Sequence, residues 1–330
     1  MQNNILARNK MSNKAPCQRP KANSHYCNRE KGACFSIRRP RVSHFQKIKG
    51  YIYDKITGPY FSIIPRLAVS RALDFFVPFH GTFHKKYYPN NNLVICLTAI
   101  CNQQCFNCVS SCGQVPDSDS MSPGQIEKFV QEATELKYYW NKISLTGGEP
   151  TLHPQIFEII GTLEKYKSFN SDCIFEIVTN GVGEKVKSTL SRLPDWIMIE
   201  NSQKQAGQQS NVFIPFNMAP VDNKIYSRFA DFSKGCQMLE SCQGLALSMY
   251  GYYPTSPCVL GIDRIFGFDI GIKKLSLVDE RALRNQMKAL CQYCGIFKRP
   301  YELITKPKMS LSWEKAYSHY RKQKPILSRY

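Results

Sequence analysis

The chain has 330 residues, 43% of them hydrophobic and 21% charged, which is enough apolar material for a sizeable core and excludes a wholly disordered protein. No run of about 18 apolar residues could span a membrane as a helix, and the N-terminus lacks the continuous apolar stretch of a secretory signal, so a cytoplasmic protein is expected. The formal charge of +19 is uneven: residues 1–90 hold 17 Lys and Arg against three acids, Glu30, Asp54 and Asp74, a surplus of 14.

Residues 1–48 are polar and basic without sustained periodicity and read as a flexible tail, in which Cys17, Cys27 and Cys34 match no metal-ligand spacing. Such an extension either holds the phosphates of a nucleic acid or an anionic membrane, or is simply solvated. Its scarcity of acids also fits an organellar transit peptide, or an over-long start with Met11 as the initiator. Residues 49–91 are rich in aromatics, and 63–76 carry apolar residues at near-helical spacing, expected to pack on the main domain in preference to docking on a membrane surface.

From residue 92 strands and helices alternate. The apolar run 93–97 predicts a buried parallel strand. Ser122, Pro123 and Gln125 then supply an N-cap, a first-turn proline and a capping-box partner for a helix with Ile126, Phe129, Val130, Ala133 and Leu136 on one face. A second strand is expected over 143–146, a helix carrying Ile156, Ile159, Ile160 and Leu163, a third strand over 173–179, and a fourth over 196–199. Residues 212–217 suit a fifth strand at an edge, because of Pro215. The rhythm predicts an α/β domain with a parallel sheet, whose ligands gather at the carboxyl ends of the strands.

Fourteen cysteines in a reducing cytosol point to metal ligands or catalytic thiols more than to disulfides. Cys101, Cys105 and Cys108 fall within eight residues directly after the first strand, so a single loop can wrap one cluster and leave one iron of four open to a small molecule. Zinc wants four closed ligands or a set with His, and no His is near. The C-x3-C-x2-C spacing resembles the radical SAM family. Gly147-Gly148-Glu149-Pro150 resembles its GGEP motif, which contacts the methionine amino group of S-adenosylmethionine (SAM), and Thr179-Asn180 resembles the polar strand end that lies near the nucleoside. Asn107 departs from the pattern, since the residue before the third cysteine is commonly aromatic or His and touches adenine.

The resemblance implies an abbreviated partial (β/α) TIM-like barrel over 92–235. It further implies a 4Fe-4S cluster on Cys101, Cys105 and Cys108, SAM bound at the open iron, an electron donor such as flavodoxin or ferredoxin, and a 5'-deoxyadenosyl radical that abstracts hydrogen from substrate. Ser202 and Lys204, with Glu200 and Asn201, follow the fourth strand and are candidates for the SAM carboxylate or substrate.

Farther on, Cys242, then Cys258 beyond a hairpin-like stretch 245–253 centred on Gly251, then Cys291 and Cys294 make up the full thiol complement of a second cluster, although a structural zinc site would use the same set. Cys236 is an alternative to Cys242. This pattern resembles a shortened Twitch-type auxiliary-cluster domain, giving a small cysteine-rich domain over 236–330. Asp263 and Arg264 read as a structural ion pair. The leading expectation is a radical SAM enzyme acting on a peptide or small metabolite. Cys112 or Cys236 would serve as hydrogen donor in an epimerisation, whereas dehydrogenation or crosslinking would send an electron to the second cluster. An RNA substrate, suggested by the basic N-terminal region, and a zinc-stabilised binding protein are the alternatives.

Overall fold

The computed structural model describes residues 91–202, 215–232, 244–254, 257–296 and 308–330. The basic tail, nearly all of the 49–91 segment, Lys204, Cys236 and Cys242 lie outside the described residues.

Strand β1 (Asn92–Thr98) is followed by helix α1 (Pro123–Glu135), β2 (Lys142–Gly147), α2 (Ile156–Phe169), β3 (Ile174–Thr179), α3 (Glu184–Leu190) and β4 (Ile197–Asn201). The four strands are parallel and adjacent, as the rhythm of apolar runs and helical stripes demands. Alternation divides the sheet into two unlike faces. Leu93, Ile95, Leu97, Ile143, Leu145, Phe175 and Ile177 are fully buried on one, beside the stripe Ile126, Phe129 and Ala133 of α1 and Ile159 and Leu163 of α2. Each such side chain contributes about 1.5–3 kcal/mol on burial. The opposite face is polar: Ser144 Oγ donates to Glu176 Oε1 at 2.5 Å, and Lys142 Nζ lies 2.6 Å from Glu176 Oε2.

Helix α1 starts where its capping box places it. Ser122 Oγ accepts from Gln125 N–H while the Gln125 side chain accepts from Ser122 N–H. Leu136, expected on the buried stripe, is 48% exposed, because the helix stops at Glu135 and Leu136 is its C-cap.

The C-terminal part joins the same sheet. After a short helix α4 (Lys224–Phe229), β5 (Leu245–Ser248) pairs in parallel with the other edge of β1, and β6 (Gly251–Pro254) returns antiparallel to it. The strand order is β4-β3-β2-β1-β5-β6, an open α/β sheet. The expected hairpin is present, but its turn is Met249-Tyr250. Gly251 instead opens β6, with φ of 124° and its missing Cβ pointing at the Ile272 carbonyl, 2.6 Å away. The fifth strand expected over 212–217 does not form in its described part: Pro215 to Asn217 make a turn that buries Phe216 against Trp313. Helices α5 (Pro257–Phe266), α6 (Glu280–Leu290) and α7 (Leu311–Lys322) complete the chain. None of the described helices is long and apolar enough to cross a membrane.

Asp263 and Arg264 do not pair. As neighbours on α5 they point to different sides: Asp263 accepts from Tyr253 O–H at 2.5 Å and from Ile270 N–H, whereas Arg264 reaches Asp117 and Tyr320. Asp263 is buried with one oxygen lacking a partner, and burial pushes its pKa up. A raised folded-state pKa means that the ionised carboxylate opposes folding above the usual aspartate value of about 3.9 and not below it. Asp263→Asn is therefore expected to raise the unfolding midpoint at neutral pH, with the gain shrinking as pH falls toward about 4. Thermal unfolding of both proteins across that range checks it.

Candidate active site

All three cysteines of the motif lie on the loop that leaves β1. The pairing of β1 with β2 slips between Cys96 and Thr98, so the strand ends irregularly, and the loop returns to clamp that end. Ala99 N–H donates to Asp119 O at 2.7 Å, Met121 N–H to Leu97 O at 2.8 Å, and the Thr98 and Ser120 hydroxyls are 2.7 Å apart. Within the loop, Cys105 is buried and Cys101 and Cys108 are half-buried. Burial first, and then Cys108, Glu149 and Cys105, push the Cys101 thiol above its ordinary range, against one opposing hydrogen bond from Gln103 N–H. The three sulfurs are thus electrostatic neighbours. Among the described residues no three ligating side chains converge on a single ion position. Three thiols spaced around a loop suit a multi-iron cluster, in which each sulfur holds a different iron, better than one ion that all must touch.

Asn107 is buried with φ of 55°. Asparagine tolerates this left-handed conformation far better than an aromatic or β-branched residue does, which gives a backbone reason for it here. Cys112 is buried behind the loop, where its Sγ lies 3.7 Å from Ser110 O. A hydrogen bond with Cys108, then burial, raise its pKa well above the ordinary range.

The glycine pair does more than leave room for a ligand. Gly147 has φ of 147°, and a Cβ on it would sit 2.5 Å from Thr98 O; one on Gly148 would sit 2.8 Å from the Ile100 carbonyl carbon. Both glycines let the end of β2 press against the first residues of the cysteine loop, fastened by Gly148 N–H to Thr98 O at 2.7 Å and Glu149 N–H to Ile100 O at 2.8 Å. Gly148→Ala is expected to cost roughly 1–3 kcal/mol through backbone displacement and to weaken SAM binding. Thermal unfolding and SAM titration check the two effects.

Glu149 is fully buried and knits three strand ends together. Its Oε1 accepts from the Thr151 hydroxyl at 2.6 Å and the Thr179 hydroxyl at 2.8 Å, and its Oε2 accepts from Asn180 N–H at 2.7 Å. Asn180 Nδ2 then donates to Asn102 Oδ1, Asn102 Nδ2 donates to Val182 O, and Val182 N–H donates back to Asn180 Oδ1. The residue after Cys101 is thereby tied to the end of β3. Asn102 was not among the residues singled out from sequence, and its only signal was adjacency to the first cysteine. Ser202 donates its hydroxyl to Thr179 O at 2.9 Å, beside the end of β4. Glu200 on β4 is exposed; burial of its carboxyl and then the neighbouring Glu176 raise its pKa.

In the C-terminal part, Cys258 sits in the first turn of α5, and Cys291 and Cys294 flank the turn after α6. All three are buried. Cys258 is an electrostatic neighbour of Cys96 on β1, whose pKa is pushed up to about 11 chiefly by its own burial.

An open parallel α/β sheet with a three-cysteine loop at the end of its first strand and a glycine-glycine-glutamate turn at the end of its second defines a radical SAM domain. Residues 95–199 match the Radical SAM superfamily. A 4Fe-4S cluster and SAM are the cofactors that this family match implies. Over 78 residues, 24% of each chain, the sequence is 44% identical to a probable GTP 3',8-cyclase of Pyrococcus horikoshii. It is 37% identical over 94 residues to one of Thermoplasma volcanium, covering 28% of this chain and 27% of that one. The chain thus spans about a quarter of the length of the curated relatives it matches. Among solved structures, BtrN in complex with AdoMet and 2-DOIA is 14% identical with a TM-score of 0.37, covering 68% of this chain and 98% of that one. That likeness is too loose to carry a substrate across.

Proposed function

We propose that Cys101, Cys105 and Cys108 hold the SAM-cleaving cluster and that the protein abstracts hydrogen from a peptide or small-metabolite substrate. The observation that carries this reading is the convergence, at one end of the sheet, of the cysteine loop, the Gly147-Gly148 turn and the Glu149–Asn180–Asn102 network. When bound, the cluster and SAM supply a carbon-centred radical for hydrogen abstraction. The chain's own work is positional. Glu149 fixes the strand ends, and the two glycines bring β2 against the loop. The backbone around Asn107 and the end of β3, with Thr179, Asn180 and Ser202, borders the space into which SAM would fit, and Lys204, two residues after Ser202 in sequence, is the cation of that set.

Cys258, Cys291 and Cys294, with Cys242, are proposed as ligands of an auxiliary cluster carried by residues 236–330, while 92–235 form the radical-generating unit. Burial of three of these thiols in the C-terminal helical layer supports the assignment. The name of the relatives, GTP 3',8-cyclases, falls within the small-molecule class. A reducing cytoplasm, with flavodoxin or ferredoxin as electron donor, suits this thiol chemistry. Anaerobic reconstitution tests the whole reading: about eight irons per chain and 5'-deoxyadenosine formed from SAM under reduction are expected. A fully reconstituted, reduced protein that yields none of that product would refute it.

A further inference from the structure

The back of the cysteine loop rests on the C-terminal third of the chain. Gly261 of α5 faces it so closely that a Cβ would collide with the Val109 carbonyl. One turn along, Arg264 is 3% exposed and donates to Ser110 O at 2.9 Å and to Tyr320 Oη at 3.0 Å, with Asp117 at 3.4 Å. Asp117 is held in turn by Lys324 at 2.8 Å and by the Tyr320 hydroxyl. Beside Ser110, Ser111 is fully buried with φ of 55°; its N–H donates to Cys108 O at 2.8 Å and its Oγ lies 2.8 Å from Tyr317 Oη on α7. Tyr317 Oη also accepts from Asn217 Nδ2 at 2.9 Å.

A buried guanidinium is destabilising unless its charge is paired and its donors are used. Asp117 and Lys324 would satisfy each other without Arg264, so packing alone gives no reason to bury a cation here. What Arg264 adds is a fixed donor on the carbonyl of a loop residue two places from Cys108. The second contact ties the Cys108 segment to α7: Ser111 N–H holds the Cys108 carbonyl, and its hydroxyl meets a Tyr317 hydroxyl that also accepts from Asn217 Nδ2. Charge and polar groups buried beside an iron-sulfur cluster tune its reduction potential.

We propose that Arg264, Ser111 and Tyr317 are positioning residues that hold the Cys108 segment in ligating geometry and tune the cluster bound there, making the C-terminal third part of the radical-initiating site. The inference rests on Cys101, Cys105 and Cys108 being the ligands.

Full-length Tyr317→Phe, Arg264→Met and Arg264→Lys proteins, reconstituted beside wild type, test it. The SAM-dependent change in the electron paramagnetic resonance spectrum reports this cluster alone. Tyr317→Phe, which keeps the ring among its aromatic neighbours, is expected to retain its iron but show a lower midpoint potential. Arg264→Met is expected to lose the SAM-responsive signal and, in the apoprotein, to let Cys105 and Cys108 be alkylated several-fold faster. Arg264→Lys should restore the signal in part. If Arg264→Met does not fold, Tyr317→Phe decides alone. Wild-type potential in Tyr317→Phe, together with a wild-type signal in any folded Arg264→Met, overturns the inference. A wild type with no SAM-responsive signal at all would instead remove the ligand assignment beneath it.

Discussion

Cys105→Ser is expected to abolish 5'-deoxyadenosine formation from SAM, down to the level without enzyme, and to reduce the bound iron by about half. The size of the effect follows from the ligand count. Three thiolates hold four irons, so the loss of one leaves two irons without a protein ligand. Cys105 is the most informative of the three to change: it is buried, whereas Cys108 has Cys112 as a hydrogen-bonded neighbour that offers a substitute sulfur. Iron and sulfide analysis together with chromatography of the SAM products reads both effects. Residual iron is what the proposed auxiliary cluster would retain, and wild-type cleavage with all iron retained would move the radical chemistry away from this loop.

Glu149→Gln is expected to lower stability by roughly 3 kcal/mol and to impair SAM binding with it, despite the nearly identical shape of the two side chains. Both carboxylate oxygens accept only: Oε1 takes the hydroxyls of Thr151 and Thr179, and Oε2 takes Asn180 N–H. Oε1 also takes Thr151 N–H at 3.3 Å, so an amide must turn its NH2 toward a backbone N–H in either orientation, that of Thr151 or that of Asn180, leaving a buried donor facing another donor. Denaturant unfolding and SAM titration measure the two losses. Because the node joins the ends of β1, β2 and β3, the binding defect should persist at temperatures where the variant remains folded.

Much of the first four strands was legible because local signals agree there. Buried parallel strands read as plain apolar runs, and Ser122-Pro123-Gln125 announces a helix start within four residues. The cysteine spacing and the glycine pair were equally plain, since both are local patterns. What escaped was long-range. Nothing near residue 245 says that β5 will lie beside β1, and 212–217 looked strand-like although Pro215 to Asn217 instead turn to bury Phe216. Arg264 looked like the partner of adjacent Asp263, but its true carboxylate is Asp117, distant in sequence and brought close only by the packing of α5 on the loop. The role of Glu149 as a node, as distinct from a motif letter, depends on Thr179 and Asn180, which only the sheet brings to it.

The parallel pairing of β5 with β1 has a consequence for how the chain comes off the ribosome. Leu93 is matched with Leu245, so through the synthesis of some 150 residues the inner edge of β1 has no permanent neighbour. Four strands can assemble in that interval, but their sheet then presents the unsatisfied amides and carbonyls of β1 beside the newly made cysteine loop. Closure of that edge waits for a contact of high sequence separation, the slow kind to form. Cluster loading that waits for β5 therefore comes late in synthesis, after the radical-generating strands themselves are made.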